Sequence, residues 1–388
     1  MEKNNSKDYN DKWFYFGLTL IACIFGIFYA AYVNCFDTPL HSLVAKAILF
    51  QDVEYDMEGF PIHAYAYPLY HITQKIVHLI LQVNYETAAA FILPISIVVS
   101  VLLYRKLVMM IVEDTVYNRY FADIVSLGTV VFGVARCWLN DWRYYQFQCG
   151  PNPFHNPTIL FVRPFAIASF IFFLKYVRTY KQAGCYKYAA LFSVVTLLSV
   201  GAKPNYAVVF LPAMGIYTLH YMICNKDLHF GIIAFAAVMP SLILLIIQQR
   251  FVASHTTALD TVIQFGGFSG LDASQVIAAS IVTFPVVILL FRIRLMKSPA
   301  FFISITALVV GWLQMYLLSS GNAGDFSWGY DLAVQFGTLV ALAETQNRKE
   351  SHRSGKIIRN AAYILFAYQI VSGIKYLWEI YTSAQFWI

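Results

Sequence analysis

The sequence predicts an all-α protein: a polytopic transmembrane helical bundle of about 11 spans, with amphipathic interfacial helices in its first outer loop. Three observations predict this. Of 388 residues, 59% are hydrophobic and only 12% are charged, about half the charge of a soluble domain. Mean hydropathy is +0.60. Runs of about 20 apolar residues recur along the whole length, each long enough to cross a hydrocarbon core of roughly 30 Å. No polar stretch is long enough to bury a core of its own, so residues 1–388 read as a single integral membrane domain.

The predicted spans are 13–33, 87–107, 120–138, 157–177, 186–201, 204–224, 229–250, 274–295, 299–319, 327–345 and 358–382. The first follows a polar segment, MEKNNSKDYNDKW, and lacks a small-residue cleavage site, so it reads as a retained span and not as a signal peptide. With the N-terminus on the cytoplasmic side, 19 of the 27 Lys and Arg fall in inner segments, which satisfies the positive-inside rule. The net charge of +6 therefore reports topology and gives no sign of nucleic-acid binding. The expected localisation is a plasma membrane, multi-pass, with function on the outer face. There lie the first loop 34–86, the second loop 139–156, a Gly-rich segment 251–273 and the late loop 320–331.

Segment 61–84 is apolar enough to be a further span. It carries His63, His71, Lys75 and His78, which are costly in lipid, and counting it would turn the basic segments 175–187, 292–297 and 348–359 outward. It reads instead as an amphipathic helix at the outer interface. Residues 37–50 read as a second, with Leu40, Leu43, Val44, Ala47 and Ile48 at helical spacing. The six cysteines include no C-x-x-C pair. Cys35 and Cys149 both fall on the predicted outer side, where a bridge between them is one option.

The first loop concentrates acids and imidazoles, and so it is where chemistry or ion handling is expected. Asp37 ends span 1, in CFDTPLHSLVAKA. It reads as the cap of the next helix and, without excluding that, as a general base, because a partly desolvated carboxylate gains basicity. His41 lies one turn on. The run QDVEYDMEGFPIH reads as a solvated linker, or as oxygen ligands for a divalent cation such as Mg²⁺ or Mn²⁺. In AYAYPLYHI, His71 either joins an interfacial aromatic belt or points into a site.

Further on, Pro151, Pro153 and Pro157 fix a non-helical approach to span 4, which His155 and Asn156 cap. Arg163 lies about two turns into that span. An Arg at such depth either snorkels to the interface or pairs with an anion, and its fork suits a phosphate. Lys203 stands at the outer end of spans 5 and 6, where topology does not ask for a cation, and could hold a phosphate headgroup. In SSGNAGDFSWGYD, Asp325 and Trp328 read as a polar loop rim or as a surface for carbohydrate.

These segments together resemble the GT-C superfamily of polytopic glycosyltransferases, which use polyprenyl-phosphate sugar donors. The residues that carry the resemblance are Asp37 in FDTPLHSLVAKA, the Tyr-Pro-Leu-Tyr-His at 67–71, Asn-Pro-Phe-His-Asn-Pro-Thr at 152–158, Lys-Pro-Asn-Tyr from 203 and Gly-Asp-Phe-Ser-Trp-Gly-Tyr at 324–330. The first loop lacks a D-x-D motif and no soluble C-terminal domain follows, both departures from many such enzymes. The resemblance implies a sugar passed from a polyprenyl-phosphate donor to a glycan, lipid or protein acceptor in the cell envelope. It implies Asp37 as the base with His41 beside it. It also implies that His71, His155, Asn156, Arg163, Lys203, Asp325 and Trp328 contact substrate, with Arg163 and Lys203 on the leaving lipid phosphate. The competing expectation is a transporter or flippase for a lipid-linked saccharide or small anion, which calls for inverted repeats and charges at the midplane. No internal repeat is visible.

Overall fold

The computed structural model describes residues 9–32, 37–48, 67–131, 154, 156–182, 184–255, 262–263, 293–319, 327–347 and 353–383. These residues are helical almost throughout. Eight of the helices are long and apolar enough to cross a membrane: α1 (Lys12–Tyr32), α4 (Tyr85–Ile111), α6 (Pro157–Thr179), α7 (Cys185–Ala202), α8 (Asn205–Asn225), α9 (Leu228–His255), α10 (Pro299–Leu317) and α12 (Arg353–Ser383). The predicted span 274–295 lies largely outside the described residues, and only a 3-10 turn, Ile293–Lys297, is described near its end. Val262–Ile263 pairs antiparallel with Leu318–Ser319.

Three further helices are short. α5 (Val116–Gly128) is 13 residues, about 20 Å at 1.5 Å per residue. That is too short to cross alone, and residues 132–138 of the expected span 120–138 lie outside the described residues. α2 (Thr38–Ala47) and α3 (Leu69–Leu81) fall in the two segments expected to form amphipathic helices. α3 is also about 20 Å long. It turns Tyr70, His71 and Gln74 inward and leaves Ile76, Leu79, Ile80 and Leu81 exposed, an amphipathic division along one short helix. Gln82, in the left-handed region at φ 53°, ends it.

The remaining helix, α11 (Ser327–Asn347), sits at the centre and packs on α4, α5, α6, α8, α10 and α12. It is buried along nearly its whole length. Polar side chains are enclosed along it: Asp331, Gln335, Thr338 and Thr345 are all buried. Around it, α6 packs broadly against α7 and α4, and α1 lies on α4. Several polar side chains in the interior bond across helices, which lowers the cost of burying them. Ser169 on α6 shares a hydrogen bond with Thr196 on α7 and accepts from Tyr206 on α8. The Tyr176 hydroxyl donates to the Phe230 carbonyl at 2.7 Å, joining α6 to α9.

At the end where α1 begins, the chain before α1 is tied down. The Tyr9 hydroxyl donates to Asp123 at 2.5 Å, while Arg105 donates to Asp123 at 2.6 Å and to the Tyr9 oxygen at 2.7 Å. Burial first, and the Asp123 carboxylate second, push the Tyr9 hydroxyl up to about 12.

Candidate functional site

The opposite end of the bundle gathers residues from five elements. α1 finishes there and Asp37 follows; α6 and α11 begin there; α7 finishes at Lys203; and Tyr67 leads into α3. The centre of the cluster is the side-chain amide of Asn156. As cap of α6, its Oδ1 accepts from the backbone N–H groups of Thr158 (3.1 Å) and Ile159 (3.2 Å), the role expected of an Asn before Pro-Thr. The same oxygen accepts from the Thr158 hydroxyl at 2.6 Å and from Lys203 Nζ at 3.2 Å. The other end of the amide, Nδ2, donates to Asp37 Oδ2 at 2.9 Å.

The Asp37 side chain therefore does not cap α2, although Asp37 occupies the cap position and Pro39 lies in the first turn. Of the two readings open in the sequence, the side-chain cap is the one the geometry removes. The carboxylate turns to α6 instead.

Lys203 is 4% exposed. Besides Asn156 it donates to the Thr158 hydroxyl at 3.0 Å. Its ammonium lies 5.0 Å from the Trp328 ring centre and 5.7 Å from that of Tyr67, within range of cation–π attraction from both. Lys203 follows the last turn of α7, and Pro204 starts α8 at once. The tight corner holds the cation at the bundle end.

Beside this cluster, α2 and α3 are joined by a polar seam. His41 Nδ1 lies 2.9 Å from His71 Nε2, with the rings stacked at 5.1 Å and the Tyr70 ring edge-on to both. Gln74 donates to the Ser42 hydroxyl at 2.9 Å and to the Tyr85 carbonyl at 2.8 Å. Lys75 Nζ caps the C-terminus of α2 through the Ile48 carbonyl at 2.6 Å. Burial first, and the nearby Lys203 ammonium second, push the His71 imidazole down to about 3, so the pair is a hydrogen bond in which His71 is neutral.

Two turns into α6, Arg163 is buried and does not snorkel. Its Nη2 lies 3.7 Å from Asp331 Oδ2 on α11, an ion pair too long for a hydrogen bond. The Gln335 amide donates to Asp331 at 3.2 Å, and the Tyr104 hydroxyl donates to Gln335 at 3.0 Å, so the polar chain runs on to α4.

Of the residues singled out in the sequence, Asp37, Asn156, Lys203 and Trp328 come together in one cluster. His41 and His71 pair beside it, and Arg163 lies deeper with Asp331. His155 and Asp325, the acids at 52–58 and the pair Cys35 and Cys149 lie outside the described residues. Thr158, Gln335 and Tyr104 were not foreseen. The spacing Asp331, Gln335, Thr338 and Thr345 on an otherwise apolar helix is the signal that would have found Gln335. Among the described residues, no group of three or more His, Cys, Asp or Glu is arranged to hold a metal ion. No protein-family model and no curated protein matches this sequence.

Proposed function

We propose that the chain is a membrane glycosyltransferase of the GT-C kind, moving a sugar from a polyprenyl-phosphate donor to a cell-envelope acceptor on the outer face of a plasma membrane. The reading takes the full count of about 11 spans and the N-terminus-inside orientation from the positive charges. The observation that carries it is the placement of a carboxylate, Asp37, and a buried cation, Lys203, on opposite ends of one amide where five elements meet. A base for the acceptor and a positive charge for the leaving phosphate are the two demands of this reaction, and they must lie within one sugar's reach of each other.

In the proposed step, Asp37 takes the proton of an acceptor hydroxyl. The acceptor oxygen attacks the anomeric carbon, the bond from that carbon to the phosphate oxygen breaks, and the electron pair leaves on polyprenyl phosphate with inversion at the sugar. Such a leaving group needs no protonation, so one carboxylate suffices, whereas hydrolytic glycosidases use two. Lys203, with Arg163 deeper in α6, offsets the charge that grows on the phosphate.

A transporter or flippase for a lipid-linked saccharide or small anion is the second reading, and the Arg163–Asp331 pair inside the bundle is the observation that favours it. One experiment separates the two. Purified protein in liposomes is given a panel of polyprenyl-phosphate sugars, and free polyprenyl phosphate is followed, with Asp37→Asn in parallel. Release that a folded Asp37→Asn protein has lost supports the transferase with Asp37 as base. Donor crossing the bilayer without release supports the transporter. Release unchanged in Asp37→Asn keeps the transferase and removes Asp37 from it.

A further inference from the structure

The geometry points to Asn156 as a positioning residue for the Asp37 carboxylate, not a group that touches substrate; this rests on the transferase reading above. The argument begins with the orientation of the amide. Four donors converge on Asn156 Oδ1, from the Thr158 and Ile159 backbones, the Thr158 hydroxyl and the Lys203 ammonium. An NH₂ group in that place would meet three obligate donors, the two backbone N–H groups and the ammonium, with no lone pair to offer them. The oxygen is thus fixed on the α6 side, and the two N–H bonds of Nδ2 must face away from it. One of them reaches Asp37 at 2.9 Å.

The same four contacts change the strength of that bond. A cation and the free N–H groups of a helix N-terminus withdraw electron density from the amide oxygen, which makes Nδ2–H a stronger donor. The Asp37 backbone stands at the cap position of α2, its carbonyl accepting from the His41 N–H at 3.0 Å, but its side chain does not cap that helix. The hydrogen bond from Asn156 ties it to α6, a long helix packed into the bundle. Asn156 is itself 8% exposed, with Lys203 at the oxygen end of its amide and Asp37 at the nitrogen end. It holds the base at a set distance from Lys203 through a neutral link.

Two substitutions separate this role from the capping role that Asn156 also has. Asn156→Ser keeps an oxygen for the Thr158 and Ile159 amides, but its hydroxyl ends one bond short of the Nδ2 position and no longer holds Asp37. Asn156→Asp keeps the capping oxygen and sets a second carboxylate in hydrogen-bond range of Asp37, where two like charges share a proton. The first readout needs no substrate: water-soluble carbodiimide labelling of Asp37 across a pH series, located by peptide mass spectrometry on the full chain in detergent. In Asn156→Asp, labelling of Asp37 should persist to a pH higher by about one unit or more. A labelling profile that matches the unaltered chain overturns the inference, whatever the reaction proves to be.

The second readout is kinetic. Asn156→Ser should lower kcat about 10- to 100-fold, the cost of a slightly misplaced catalytic group, with KM changed less than about threefold. A loss expressed in KM with kcat kept would make Asn156 a substrate contact and overturn the positioning role. If the unaltered chain releases polyprenyl phosphate from no donor, the transferase reading fails alone, and the labelling profile still decides whether Asn156 governs Asp37.

Discussion

Arg163 and Asp331 face each other 3.7 Å apart across the interior of the bundle, one on α6 and one on the central α11, each 3% exposed at the side chain. Among the described residues the arginine Nε and Nη2 meet no hydrogen-bond partner, so the pair is held there by charge more than by hydrogen-bond geometry. The carboxylate has Gln335 as a second support. A pair of this kind is costly to break and cheap to replace as a unit.

Removing one partner is therefore expected to hurt far more than removing both. Arg163→Met alone should destabilise the protein by about 3–5 kcal/mol, since it strands the Asp331 carboxylate. The double substitution Arg163→Met with Asp331→Leu should recover most of that loss. Thermal unfolding in detergent measures both. If Arg163 also serves the leaving phosphate, the recovered double variant will fold and yet turn over more slowly, so stability and activity part company.

Lys203 offers a contrasting case, because its charge lies at the end of the bundle, linked to Asp37 through the Asn156 amide. Lys203→Met keeps most of the apolar stem beneath Trp328 and Tyr67 and removes the ammonium. The expected loss in kcat/KM for a lipid-phosphate donor is about 100-fold. Steady-state kinetics in liposomes measure it, and unchanged kinetics would take Lys203 out of the site.

The histidine seam predicts a pH dependence of stability. The folded His71 lies near 3, below its ordinary value of 6.5. Between those values the unfolded chain binds the extra proton, so stability is full above about 6.5 and falls as pH drops toward 3, with a slope of up to about 1.4 kcal/mol per pH unit. The groups around it are the His41 ring, the Tyr70 ring and the Lys203 ammonium. His71→Gln, which can still hydrogen-bond, should flatten the dependence in this window. Chemical denaturation at a series of pH values tests it, and an equal slope in both proteins would show that another group titrates.

Gly329 precedes Tyr330 in the first turn of α11, where that helix meets α8. A Cβ there would sit 2.5 Å from Val209 Cγ2 and 2.7 Å from the Asn205 carbonyl oxygen. The backbone oxygen cannot give way as a side chain can, so Gly329→Ala should push the start of α11 off α8 and draw Trp328 away from Lys203. The expected cost is about 1–3 kcal/mol, read from the unfolding midpoint, with Gly329→Val worse than Gly329→Ala.

The membrane class, most helices and the character of the α2–α3 region followed from local features of the sequence: apolar runs of spanning length, and helical spacing broken by imidazoles. The caps at Asn156 and the helix breaks at Pro157 and Pro204 were equally local, because proline and asparagine act on the backbone within a turn. α11 falls on the expected segment 327–345, but the burial of its Asp331, Gln335, Thr338 and Thr345 was not legible. Its burial depends on the helices around it.

What only the tertiary structure decided is which polar groups meet. Asp37 and Asn156 stand 119 residues apart, and nothing near Asp37 in the chain distinguishes a capping carboxylate from one turned toward α6. His41 and His71, 30 residues apart, could each have faced water, and Arg163 could have snorkelled or paired. A sequence fixes the chemistry each side chain carries and, through periodicity, the helix face it occupies. The distance between two such faces is set by how the helices pack, which depends on the volumes of all their apolar side chains at once.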